Sequence, residues 1–354
     1  MNNKNSKFVV FLFVLTAIGS ASFLFINKGG LNRQSSMSDQ NTNQGGSNDK
    51  KLHPLSIEYM RKREYPGSDI VIEQTLPKGS NYYQFIVSYK SDGLKIYGLL
   101  TLPQGEIPKD GWPVIIFNHG FIPPSTYRTT ERYVAYVDVF ARNGYRVFKP
   151  DYRGNGNSEG QPEGTYYSAA YTTDVLNAVS SIKKFKEADP NKIGMWGHSM
   201  GGNITLKSLV VRPNDIKAAI IWAGVVGTYD DLINNWQRRV TYSPPPQQLA
   251  LRNQSRAKLI EKYGTPKTNP QFWHSVDPNY HLFDITASIQ IHAGLSDEQV
   301  PWSFSQGLYV RLKKLNKTVE FYTYPDDNHN ISNNLSLALQ RSVEFFDKYL
   351  KGGE

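Results

Sequence analysis

Cysteine is absent from all 354 residues. That removes disulfides, a thiol nucleophile, thiolate metal ligands and a lipidated N-terminal cysteine together. The chain also lacks an H-E-x-x-H zinc pattern, a P-loop and a G-x-G-x-x-G dinucleotide fingerprint, so no metal or other cofactor is expected. Gly154-Asn155-Gly156 has part of the last pattern but follows the wrong strand, and reads as a turn. A concentrated basic run is missing as well. Formal net charge is +9, of which residues 1–50 supply +3, and the remainder is spread over the other 304 residues. Nucleic-acid binding needs a basic face, so no nucleic-acid partner is expected. There is no internal repeat. What is present, 39% hydrophobic and 20% charged residues, is a globular composition, which excludes a wholly disordered or fibrous chain.

One long apolar run stands out. Lys4 and Lys7 precede Phe8–Ile26, nineteen residues broken only by Thr16, Ser20 and Ser22. As a helix it would be about 28 Å long, close to the hydrocarbon thickness of a bilayer. A cleaved secretory signal would use Phe8–Gly19 as its core and be cut near Ser20-Ala21-Ser22. Because Phe23-Leu24-Phe25-Ile26 stays apolar past that point, the favoured reading is an uncleaved single-pass anchor. It would have residues 1–7 cytoplasmic and the remainder outside the cell membrane. Residues 27–50 are rich in Asn, Gln, Ser and Gly and read as a flexible linker.

From residue 51 onward, strand and helix patterns alternate. Tyr82–Tyr89 and Leu94–Leu102 form a hairpin pattern around Ser91-Asp92-Gly93. Short apolar runs follow at Val114–Phe117, Tyr145–Pro150, Lys192–Gly197, Ala218–Val226, Ile289–His292 and Val319–Tyr324. Helical patterns lie at Tyr133–Asn143, Tyr166–Lys186, Gly201–Val211, Trp302–Leu315 and Leu335–Leu350. Apolar runs without alternation suit strands buried on both faces of a parallel sheet. The expectation is an α/β class, a mostly parallel doubly wound sheet of about eight strands with helices on both faces. Residues 229–284 interrupt the alternation, contain Pro244-Pro245-Pro246, and read as an insertion or lid.

Gly197-His198-Ser199-Met200-Gly201 is a G-x-S-x-G pentapeptide between the strand pattern at 192–197 and the helix pattern at 201–211. A strand turning sharply into a helix lifts a serine hydroxyl above the sheet, which makes Ser199 the candidate nucleophile. Its base should be a histidine later in the chain. His329 sits in Tyr324-Pro325-Asp326-Asp327-Asn328-His329, a loop after the last strand pattern, where α/β sites lie. His292 falls inside a strand and reads as structural; His274 and His281 belong to the insertion. Asp297, after the strand at 289–292, is the expected acid, ahead of Glu298, Asp326 and Asp327. The oxyanion donors should be the backbone N–H groups of Met200 and of Phe121 in the loop Asn118-His119-Gly120-Phe121. Tyr127 is a candidate additional donor. Trp236 and Trp273, with other aromatics of the insertion, either line an acyl pocket or pack the insertion's own core.

Several blocks resemble the catalytic domain of the prolyl oligopeptidase family of serine peptidases, within the α/β-hydrolase fold. The nucleophile block runs from Ala188 to Gly202, and Asp151-Tyr152-Arg153-Gly154-Asn155-Gly156 is similar to the family's strand-end loop. Glu261–Pro266 and Ser275–Pro278 resemble the segment before the acid strand, and the blocks around Asp297 and His329 match too. The resemblance covers about residues 94–350 and implies an α/β-hydrolase fold with the triad Ser199, Asp297 and His329. Family peptidases carry a β-propeller ahead of this domain, and fewer than fifty residues separate the linker from the first hydrolase strand here. The short oxyanion block His119-Gly120-Phe121 is similar to that of small esterases and feruloyl-esterase-like proteins. The expected activity is therefore serine hydrolysis through an acyl-enzyme, on short peptides or carboxylic esters. An acyltransferase, or a non-catalytic surface-binding protein on the same scaffold, is the alternative. Oligomeric state is not legible.

Overall fold

The computed structural model describes residues 52–352 apart from Gly164 and 240–245. The expected cytoplasmic segment 1–7, membrane segment 8–26 and linker 27–50 lie outside the described residues. Nine strands form one sheet: β1 (Val71–Leu76), β2 (Tyr82–Ser91), β3 (Leu94–Pro103), β4 (Trp112–Asn118), β5 (Arg146–Pro150), β6 (Ala188–His198), β7 (Ala218–Trp222), β8 (Ser288–Gly294) and β9 (Val319–Tyr324). Their spatial order is β1-β2-β3-β5-β4-β6-β7-β8-β9. β1 to β3 meander antiparallel and β3 joins β5 antiparallel, while β4 through β9 are mutually parallel. This is the α/β-hydrolase architecture. β1, not anticipated from sequence, is an exposed edge strand whose residues carry no burial alternation.

The helices are α1 (Ile57–Lys62), α2 (Val134–Arg142), α3 (Ala170–Lys184), α4 (Met200–Val211), α5 (Pro246–Tyr263), α6 (Pro270–Val276), α7 (Trp302–Lys314) and α8 (Leu335–Phe346). They cover both faces of the sheet. Strand side chains alternate between two cores, as a two-residue period requires. Val114, Ile116, Ile193, Met195, Ala219 and Ile221 face the larger core with α3, α4 and α7. Ile115, Phe117, Trp196, Ile220 and Trp222 face the smaller one with α2 and α8. Both faces are apolar, which is why the parallel strands read as unbroken hydrophobic runs.

Among its described residues, the segment 229–284 holds α5 and α6 with short helical turns and no strand. It is pinned to the larger core through Tyr229, Leu232, Leu259, Trp273 and Val276. Asp277 fastens its two ends together, accepting from the Tyr229 N–H at 2.8 Å and the Asn279 N–H at 2.9 Å.

Candidate active site

His198, Trp222, His292 and Tyr322 lie in register across β6, β7, β8 and β9. The loops leaving these strands therefore emerge along one edge of the sheet, and Ser199, Asp297 and His329 come from three of them. Ser199 has φ 56° and ψ −117°, a left-handed conformation that a side chain rarely adopts. The turn is held from both sides: the Ser199 N–H donates to the Trp222 carbonyl at 2.9 Å, and the Val225 N–H donates to the Ser199 carbonyl at 3.0 Å. The flanking glycines follow from crowding. A Cβ on Gly197 would sit 2.3 Å from Thr205 Oγ1, and one on Gly201 would sit 1.9 Å from the Asn118 carbonyl oxygen. Backbone strain enforced by neighbouring residues is a recurrent feature of functional sites.

His329 and Asp297 are both buried, and His329 Nδ1–H donates to Asp297 Oδ2 at 2.8 Å. Asp297 Oδ1 accepts the backbone N–H groups of Gln299 at 2.8 Å and Val300 at 2.9 Å. Both oxygens are thus committed, the carboxylate orientation is fixed, and the bond to Nδ1 leaves Nε2 as the free acceptor. Ser199 and His329 line one cavity of about 480 Å³ with Gly120, Phe121, Tyr133 and Tyr166. No hydrogen bond joins Ser199 Oγ to His329; such contacts are often loose before substrate binds.

The Met200 N–H is the first of α4 and has no acceptor among the described residues, so it adds to the positive end of the helix dipole. The Phe121 N–H likewise has none. Its direction has a cause. His119 Nδ1–H donates to the Gly120 carbonyl at 2.7 Å. In a planar trans peptide the next N–H points opposite to that carbonyl, which turns the Phe121 N–H away from His119. His119 is itself clamped between the rings of Tyr127 at 4.7 Å and Tyr152 at 4.2 Å, and burial lowers its pKa to about 3, so it is neutral.

A second support was not legible in sequence. The Gly120 N–H donates to Tyr133 Oη at 2.9 Å, so the phenol proton goes to His198 Nδ1 at 2.7 Å. His198 Nε2–H then donates to the His329 carbonyl at 3.0 Å. Burial first, then the electrostatic influence of the neighbouring His329 ring, lower the His198 pKa to about 3, which suits a neutral ring passing one hydrogen bond onward. The chain Gly120–Tyr133–His198–His329 thereby ties the candidate oxyanion loop to the backbone of the candidate base. Tyr133 and Arg132 both have left-handed φ, 54° and 58°, at the start of α2. Only that strain sets Tyr133 apart, and nothing in the sequence announces it.

Tyr127, the candidate additional donor, and Trp236 and Trp273, the candidate pocket residues, are placed elsewhere. Tyr127 is fully buried beneath the oxyanion loop, its hydroxyl donating to Asp151 Oδ1 at 2.6 Å, with Thr129 on the other oxygen at 2.5 Å. It supports His119 and does not reach the cavity. Trp273 is 1% exposed, donates Nε1–H to the Gly264 carbonyl at 2.9 Å, and borders a separate cavity of about 340 Å³. Trp236 donates Nε1–H to the Gln299 carbonyl at 2.8 Å and packs on Phe304, behind the wall rather than on it. The insertion packs these aromatics against the core, where a large ring buries much apolar surface. His292 is structural as expected, its Nδ1 within 2.8 Å of Tyr324 Oη and its Nε2 within 2.7 Å of Gln290 Oε1.

The prolyl oligopeptidase family model matches residues 132–353. An uncharacterized peptidase of Bacillus subtilis, YtmA, is 24% identical over 266 residues, spanning 73% of this chain and 91% of that protein. Among solved structures, the Pyrococcus horikoshii acylaminoacyl peptidase superposes with a TM-score of 0.60 at 21% identity, covering 78% of this chain. This chain spans 43% of that peptidase's length. An acetyl xylan esterase from Paenibacillus sp. R4 superposes with a TM-score of 0.61 at 18% identity, covering 83% of this chain and 92% of the esterase. At these identities the structural likenesses speak for the fold alone.

Proposed function

The chain belongs to the prolyl oligopeptidase family and is a serine hydrolase; from that premise we propose that Ser199, His329 and Asp297 form its catalytic triad and that it cleaves short peptides or carboxylic esters through an acyl-enzyme. The observation that supports this most directly is the strained Ser199 turn sharing one cavity with a His329 whose Nδ1 is held by Asp297 at 2.8 Å.

In this reading Ser199 Oγ attacks the substrate carbonyl carbon and its proton passes to His329 Nε2. Asp297 stabilises the imidazolium and keeps the productive tautomer. The tetrahedral oxyanion is held by the N–H groups of Met200 and Phe121. His329 then delivers its proton to the departing alcohol or amine, leaving Ser199 acylated. Water repeats the sequence in reverse, giving up a proton to His329 and releasing the carboxylic acid. Esters are the less demanding substrates, since their leaving groups need less help from the acid.

The test is turnover of p-nitrophenyl esters and dipeptidyl p-nitroanilides by residues 51–354, with Ser199→Ala as control. Hydrolysis lost in the variant supports the reading, and hydrolysis unchanged in it sinks the reading. Ester turnover without anilide turnover makes the chain an esterase. We further propose that residues 8–26 anchor this domain on the outer side of the cell membrane. Protease shaving of intact cells should remove the domain, and its full protection would overturn that placement.

A further inference from the structure

The cavity beside Ser199 is lined by three guanidinium groups, Arg132, Arg238 and Arg252, against a single carboxylate, Glu163. That carboxylate is already engaged. Glu163 accepts from the Ser168 hydroxyl and faces the Arg153 guanidinium at 3.8 Å. Arg132 and Arg252, by contrast, make no hydrogen bond or ion pair with any described residue. Arg238 and Arg252 come from different parts of the insertion, one following the turn at Asp231–Asn235 and the other on α5, yet both lie over the same indole. Each guanidinium carbon is 5.5 Å from the Trp236 ring centroid.

Trp236 is in turn fixed by its bond to the Gln299 carbonyl, two residues beyond Asp297. The pair of cations is therefore indexed to the triad through a rigid ring rather than left on loose surface. Bringing two like charges over one ring and a third to the same wall raises the electrostatic energy of the empty site. An anion between them lowers it, and a concave, partly apolar wall strengthens the effect. Guanidinium forks match a carboxylate in geometry as well as charge.

We propose that this cavity selects substrates carrying a second, ionised carboxylate near the scissile bond, such as half-esters of dicarboxylic acids or short peptides with a free C-terminus. Arg132, Arg238 and Arg252 are its specificity determinants. The proposal rests on the Ser199 hydrolase reading and deepens it.

The experiment compares matched pairs: mono-p-nitrophenyl adipate with its methyl ester, and 4-carboxyphenyl butyrate with its methyl ester. The first pair puts the charge on the acyl side and the second on the leaving-group side. The readout is the ratio of kcat/KM within a pair, which cancels the fraction of folded enzyme. A preference of about tenfold or more for the anion is expected in at least one pair, and that pair identifies the side. Arg252→Gln and Arg132→Gln should each cut the ratio by about three- to tenfold, the range for losing one typical hydrogen-bonded contact. Ionic strength of about 1 M, where the Debye length is about 3 Å, should cut it too. Ratios near one in both pairs, or ratios unmoved by both substitutions, overturn the proposal.

Failure of the hydrolase reading looks different, because Ser199 would then resist a neutral fluorophosphonate. Should Ser199 label while neither pair turns over, adipate protection of that labelling decides. Protection in the parent that is lost in the double variant supports the site, and absence of protection in the parent overturns it.

Discussion

Replacing Asp297 by asparagine isolates the one interaction on which the proposed chemistry depends. The side chain keeps its shape, and Oδ1 can still accept the Gln299 and Val300 N–H groups at 2.8 and 2.9 Å. Those two bonds lock the amide. Flipping it would set an NH₂ against two buried N–H donors, at about 1–3 kcal/mol for each donor left unsatisfied. The amide nitrogen must then occupy the Oδ2 position, 2.8 Å from His329 Nδ1. A donor facing Nδ1 forces that nitrogen to accept, so the ring proton moves to Nε2, where it blocks removal of the Ser199 proton. Reaching the productive tautomer means breaking the new bond and opposing two donors. Together these cost about 3–7 kcal/mol, a loss of about 10²–10⁵ in kcat. The assay is kcat on an activated ester, alongside the rate of fluorophosphonate labelling at Ser199 and the melting temperature. Both rates should collapse while melting stays close to that of the parent. A variant that melts normally and retains more than about a tenth of the parental rate would refute the reasoning.

Other expectations concern the supports around the triad. Gly201→Ala places a methyl group 1.9 Å from the Asn118 carbonyl at the end of β4. It should destabilise by about 1–3 kcal/mol or more and lower kcat by displacing the oxyanion loop, read by denaturant titration and ester turnover. Tyr133→Phe leaves the Gly120 N–H and His198 Nδ1 without partners. It should cost about 2–4 kcal/mol of stability and reduce kcat about tenfold, and parental values for both would remove the relay from the account. His292 is held to a pKa of about 3 by burial, with Arg341 adding to the effect. Its folded value is below the ordinary 6.5, so between about pH 6.5 and 3 the unfolded chain binds the extra proton and this group's contribution is lost as pH falls. His292→Gln should therefore be less stable than the parent at about pH 7.5. Below about pH 6 the gap should narrow by up to about 1.4 kcal/mol per pH unit, and a constant gap would count against the assignment.

Much of this molecule is written locally. The strand-to-helix pattern around Gly197–Gly201 marks a strained serine turn, the proposed nucleophile, because its requirements, small residues flanking the serine, fall within five positions. Asp297 and His329 are legible because each follows a strand in the order the chemistry demands, and parallel strands in register must deliver such loops to one edge. Both apolar faces of the sheet are equally plain in its unbroken hydrophobic runs. β1 escapes that reading because an exposed edge strand has no buried face to impose a pattern.

What sequence leaves open depends on where long side chains end. Tyr127, Trp236 and Trp273 look alike as apolar residues near a site. Yet one props the oxyanion loop, one underlies two arginines, and one packs the insertion's core. The Tyr133–His198–His329 relay joins residues 65 and 131 positions apart. The three arginines of the cavity wall come from α2's entry, the extended stretch after Trp236, and α5. Periodicity reports only which face of an element is buried, through neighbours a few residues away. Hydrogen-bond partners and the sign of a cavity's charge are set by contacts between distant segments, and those exist only once the sheet, the helices and the insertion have closed around them.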